Sequence, residues 1–72
     1  MSLIQVQDKL IADLIRAESV TRCYGNQRKA RRAAYHRANE ALRAMGYDAV
    51  QAAVLCNDAA DMALLQMHAT DE

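Results

Sequence analysis

The chain contains no proline, tryptophan or phenylalanine, only two glycines and two cysteines, and aromatic residues make up 4% of it. Each scarcity excludes something. Cys23 and Cys56 cannot form the multi-bridge framework of a small secreted scaffold, and without a signal-like N-terminus two free thiols in a cytoplasmic protein are expected. Uncharged stretches such as Ala49 to Asn57 fall far short of the ~20 residues a membrane span requires, which predicts a soluble protein with no membrane partner. No CxxC, HxxxH or HxxE spacing connects Cys23, Cys56, His36 and His68, so neither a metal nor another cofactor is expected. No nucleophile stands beside a base and no glycine-rich pocket is present, which predicts no enzymatic activity. Repeats, low-complexity tracts and linkers are missing, so residues 1–72 read as a single helical domain.

What remains is alanine and charge. Hydrophobic residues are 53% of the 72, and with so few aromatics alanine supplies much of that count. A chain of this size buries only about 60% of its unfolded surface. A thin alanine core needs close backbone approach or a second subunit, and a homodimer is the expectation.

Three segments carry helical spacing, predicting an all-α fold with helices over about 3–23, 27–45 and 49–69. Ser2 and Gln5 stand at capping-box distance. An N-terminal amphipathic stripe then follows as Leu3, Leu10, Leu14 and Ala17, flanked by Ile4, Ile11 and Ile15. Gly25 and Gly46 are each placed to close a helix in the left-handed conformation, with Asn26 capping the second helix and Asp48, with Gln51, capping the third. The second helix has an apolar face of Ala30, Ala34, Tyr35, Ala38, Ala41, Leu42 and Met45. The third has a small side (Ala49, Ala53, Cys56, Ala60, Ala63, Met67) and a bulky side (Val50, Val54, Leu55, Met62, Leu64, Leu65). A link as short as Gly46-Tyr47-Asp48 makes helices two and three an antiparallel, Ala-rich hairpin. In that hairpin Tyr35 falls near Ala60 and Asp61, and Arg37 near Asp58. Asn57 and Asp61 then lie close to the buried face, bonding Tyr35 or Arg31 and fixing the register.

Formal net charge is zero, yet residues 1–46 hold all nine Lys and Arg with four acids, a net +5, while residues 47–72 hold five acids and no base. The basic cluster at the start of the second helix opposes the helix dipole, at a cost of a few tenths of a kcal/mol per residue (about 0.3–1 at most). A sequence selected for stability alone would avoid it. Arg28, Arg31, Arg32 and Arg37, with Tyr35 as anchor, are therefore the candidate partner-binding residues, since Arg and Tyr are favoured interface hot spots and Arg grips carboxylates with two bonds. The partner class this predicts is a host or cognate protein. The same arginines also suit phosphates, with Tyr24 and Tyr35 stacking on bases, so RNA or DNA binding is the alternative. A helix-turn-helix reader is disfavoured, because the segment from Ala49 to Asp61 has no Lys or Arg.

Two resemblances follow from these residues. Met45-Gly46-Tyr47 with Ala52, Ala53 and Leu55 resembles the MGF/MGY loop of ubiquitin-associated domains, which implies a ubiquitin-binding patch. Beyond Leu55 the chain departs from that family, since Asn57 arrives early and the spacer before another helix is missing. In size and all-helical style the chain also resembles the small proteins that phages use to bind and disable host regulators or motor ATPases. That likeness implies an inhibitor acting by stoichiometric binding and assigns no residue a role.

Overall fold

The computed structural model describes residues 2–20 and 24–70, the side chains at 19, 20, 24, 69 and 70 excepted. It is an all-α protein of three helices, α1 (Leu3–Val20), α2 (Tyr24–Ala44) and α3 (Ala49–Thr70). Its extents of 36 × 25 × 19 Å place the helices side by side, two helix layers thick, as an interaxial spacing of about 8–10 Å requires.

Both anticipated capping boxes form. The Ser2 amide donates to Gln5 Oε1 at 2.9 Å and the Gln5 amide to Ser2 Oγ at 3.2 Å. At α3 the Gln51 amide donates to Asp48 Oδ1 at 2.7 Å and the Asp48 amide to Gln51 Oε1 at 3.2 Å. Each box satisfies two backbone donors that the first turn would leave open. The turn between α2 and α3 also follows the reading from sequence. Gly46 has φ of 105°, and the Tyr47 amide donates to the Leu42 carbonyl at 3.2 Å while that of Gly46 donates to Arg43 at 3.1 Å. This pair of bonds is the Schellman closure.

Gly25 behaves differently. It lies inside the first turn of α2, which starts at Tyr24 rather than after Asn26, and Gly46 is the glycine with positive φ among the described residues. Gly25 therefore closes no helix and Asn26 caps none. Within the described residues, one carbonyl of the last turn of α1 is met by a side chain, Gln27 Nε2 donating to the Glu18 carbonyl at 3.4 Å. A glutamine reaching back from the next helix does for that carbonyl what a glycine-centred turn would otherwise do. The described part of α1 ends at Val20, and the expected extension to Cys23 lies outside the described residues.

The core draws on all three helices: Val6, Leu10, Leu14 and Ala17 from α1, Ala34, Ala38 and Leu42 from α2, and Ala52, Cys56, Ala59 and Ala63 from α3. Leu3, Ile11, Ile15, Tyr35, Ala41, Tyr47, Leu55, Ala60 and Met67 pack around its edge. The stripe on α1 runs through Val6, which belongs with Leu10 and Leu14 at steps of four residues, while Ile4 faces out. The N-terminal amphipathic helix completes the hairpin of α2 and α3, as the sequence predicts. α1 packs against both α2 and α3 more extensively than those two pack against each other. The physical reason is side-chain size, since the branched residues of α1 meet the small residues of α2 and α3 on two sides. Gln7 Nε2 adds a bond to the Leu55 carbonyl at 3.3 Å.

On α3 the buried face is rotated from the one expected. Ala52, Cys56, Ala59 and Ala63 point inward, and Ala49 and Ala53 are exposed. Asn57 and Asp61 are exposed as well, at the rim of the α2–α3 groove, so they do not fix the hairpin register from within. No polar side chain is buried among the described residues. α3 also runs without a break past Leu55, so the likeness to a ubiquitin-associated domain stops at the turn. Among the described residues, no helix is long and apolar enough to cross a membrane.

Candidate binding surface on the second helix

Five residues of α2 were singled out from sequence, and the fold sends them to three places. Arg37 points toward α1, its Nη2 lying 3.3 Å from Asp13 Oδ2. It does not approach Asp58 as the hairpin reading expected. Arg31 also turns to α1, with Nη1 3.7 Å from Glu18 Oε1. These two arginines of α2 are thus answered by acids of α1, not of α3, because α1 packs against both of the other helices. Both pairs are partly solvated and contribute about 0–1 kcal/mol each. Arg31 and Arg37 are each paired with an acid of α1 at the edge of the fold.

Arg28 and Arg32 make no ion pair among the described residues. They converge with Lys29 and Gly25 on an open hollow of about 300 Å³. Lys29 was not among the residues selected from sequence, and the signal that could have found it is its place beside Arg28 on the solvent side of the first turns. Three unpaired cations crowd the end of the helix where the dipole is already positive. A negatively charged group would be favoured there by both the side chains and the helix dipole.

Tyr35 stands on the other flank. Together with Arg32, His36 and Asn39 of α2 and Ala49, Ala53, Cys56 and Asn57 of α3 it lines an open groove of about 410 Å³ on the side of the α2–α3 pair that α1 leaves uncovered. Its α3 wall is made of small residues, Ala49, Ala53 and Cys56, while its α2 wall carries the larger Arg32, Tyr35, His36 and Asn39. Burial pushes the Tyr35 phenol above its ordinary value, with the neighbouring Cys56 and Asp61 adding to the rise and Arg31 opposing it. Burial likewise pushes the Cys56 thiol up. Both groups are neutral near pH 7, so Tyr35 offers the groove a hydroxyl donor and Cys56 behaves as a small apolar residue. His36 is held on its own helix, Nε2 lying 3.2 Å from Glu40 Oε1.

A smaller hollow of about 160 Å³ lies between α1 and α2, lined by Val6, Leu10, Ala34, Ala38 and Ala41 and flanked by Lys9, Asp13 and Arg37. Its walls are apolar and the Arg37–Asp13 pair borders it, which marks a packing gap beside small residues. No group of three or more His, Cys, Asp and Glu suited to a metal ion occurs among the described residues. Arg22 and Cys23 lie outside the described residues, as does the side chain of Tyr24. No family model matches the chain, nor does any curated protein or solved structure.

Proposed function

We propose that the protein is a small non-enzymatic binding module whose contact surface is the cationic start of α2, formed by Arg28, Lys29 and Arg32 with Tyr35 at its edge, and whose partner is a protein presenting carboxylates. The observation that carries this reading is the sorting of the arginines. Arg31 and Arg37 are tied to α1, whereas Arg28 and Arg32, with Lys29, stand unpaired around one hollow. Like charges gathered against the helix dipole cost stability, and a binding role explains why they stay together. Arginine favours a carboxylate-bearing surface, because its planar fork accepts two oxygens at once. The resemblance to small phage proteins adds the expectation that binding inhibits the partner.

The test uses immobilised full-length protein and bacterial lysate, with a saturable partner identified and titrated. Arg28→Glu with Arg32→Glu should weaken that partner by at least about ten-fold, as loss of paired interface charges does. Arg37→Glu should leave it nearly unchanged. Equal loss from both variants would overturn the assignment. Nucleic acid is the second reading, favoured by the exposure of Arg28, Lys29, Arg32 and Arg43 along one helix. A log–log salt slope of about −0.7 to −0.9 for each neutralised phosphate would select it.

A further inference from the structure

α3 exposes an apolar face that neither α1 nor α2 covers. Val50 is 73% exposed, Val54 53%, Leu64 49% and Leu65 63%, all opposite the buried Ala52, Ala59 and Ala63. Four large aliphatic side chains lie open to water on one 22-residue helix, as two pairs with the exposed Asn57, Asp58 and Asp61 between them, more than the scattered single residues that need no explanation. Val50, Val54, Asn57, Asp61 and Leu64 also succeed one another at alternating steps of four and three residues. That is the seam of a two-stranded coiled coil, with two polar residues at its centre.

We propose that this seam packs against the same helix of a second copy of the chain, antiparallel and two-fold symmetric, with Asn57 facing the second copy's Asp61. The inference shares one residue, Arg32, with the binding surface proposed for α2, and its test therefore varies the seam of α3 and leaves Arg32 unchanged.

The central polar pair selects both orientation and register. A parallel pairing would set Asp61 against Asp61, two like charges in a closing seam. An antiparallel pairing shifted by one repeat would set Asp61 against Val50 and leave the carboxylate without a donor. Only the register that opposes Asn57 to Asp61 gives each carboxylate an amide N–H, and it does so twice about the axis. The same register sets Val54 against Leu64, a branched residue against a longer one.

Charge identifies the occupant as a second copy. α3 has no Lys or Arg, and neither Asp58 nor Asp61 forms an ion pair among the described residues. Asn57 lines the same groove as Arg32. When Asp61 meets the second copy's Asn57, it therefore approaches that copy's unpaired Arg32. Each copy offers both the acid and the base, which a chain of zero net charge with segregated halves satisfies in full only with itself. Arg28 and Lys29 lie a turn further along α2, away from the axis.

Sedimentation equilibrium of the full chain under reducing conditions should show a monomer–dimer system below about 100 μM. Val54→Asp with Leu64→Asp should give a monomer over that range. Because both side chains are exposed, its far-UV circular dichroism should match that of a monomer of the parent chain. Asn57→Asp should weaken the dimer by at least about ten-fold, placing four carboxylates at the centre. For register, Val54→Cys with Leu64→Cys, in a chain whose Cys23 and Cys56 are alanine, should form a covalent dimer on mild oxidation, and neither single variant should. A parent chain that stays monomeric throughout would overturn the proposal, as would a dimer indifferent to the paired aspartates. Efficient cross-linking of Val54→Cys alone would overturn the register.

Discussion

The two glycines of this chain look alike in sequence and are opposites in the structure. Gly46 sits at φ of 105° with nothing within 4 Å of an added Cβ, so its constraint is entirely in the backbone. Gly46→Ala should lower unfolding free energy by about 1–2 kcal/mol through the strained φ alone. Gly25 also has open space around it but is helical, and glycine in a helix costs about 0.5–1 kcal/mol relative to alanine. Gly25→Ala should therefore raise stability by up to that amount. Urea titrations of both variants check the pair. A loss of stability at Gly25 equal to that at Gly46 would show that it closes a helix after all. Sequence could not separate them, because each is followed within two residues by a capping-type residue, Asn26 or Asp48, and it is the start of α2 at Tyr24 that puts Gly25 inside a helix.

Among the elements, α1 holds the molecule together and α2 and α3 depend on it. Its Val6, Leu10 and Leu14 supply most of the bulk in a core otherwise made of alanine, Leu42 and Cys56. Helix existence, both capping boxes and the α2–α3 turn were legible because they are set by residues within five positions of one another. Partner choice was not. The ion pairs Arg31–Glu18 and Arg37–Asp13 join residues 13 and 24 apart, and which acid answers which base follows from where α1 docks. Likewise α3 is apolar on most sides, so its periodicity could not say that Ala52 and Ala59 face in while Val50 and Val54 face out. The mismatch between large α1 and small α2 residues leaves the gap of about 160 Å³ beside Ala41. Ala41 is half-buried at its edge, so Ala41→Leu can fill the space without meeting a closed wall. It should stabilise the protein by about 0.5–2 kcal/mol. Thermal unfolding of the variant measures this, and a lowered midpoint would mean the gap cannot accept the longer side chain.

At the scale of the whole molecule, the open groove between α2 and α3 makes stability depend on pH in one direction. Cys56 and Tyr35 lie on it, and burial raises both above their ordinary values of 9.0 and 10.0. Below about pH 7.5 the thiol and the phenol are protonated whether the chain is folded or not, and neither makes stability vary with pH. Above the ordinary thiol value the unfolded chain releases the Cys56 proton while the folded chain keeps it. The unfolded state then binds fewer protons, and stability falls as pH rises. Tyr35 adds the same effect about one unit higher, and each loss ends once the folded group has ionised too. Where one proton separates the two states, the slope approaches about 1.4 kcal/mol per pH unit. Urea midpoints measured from pH 7 to pH 11 with reductant present should be level at first and then decline. Cys56→Ala should delay the onset of the decline, and Tyr35→Phe should flatten its upper part. Cys23 titrates in the unfolded chain of every variant, so the difference between the parent and Cys56→Ala isolates the buried thiol. An unchanged onset in Cys56→Ala would show that its thiol reaches solvent in the folded protein and that the α2–α3 seam is more open than its alanines suggest.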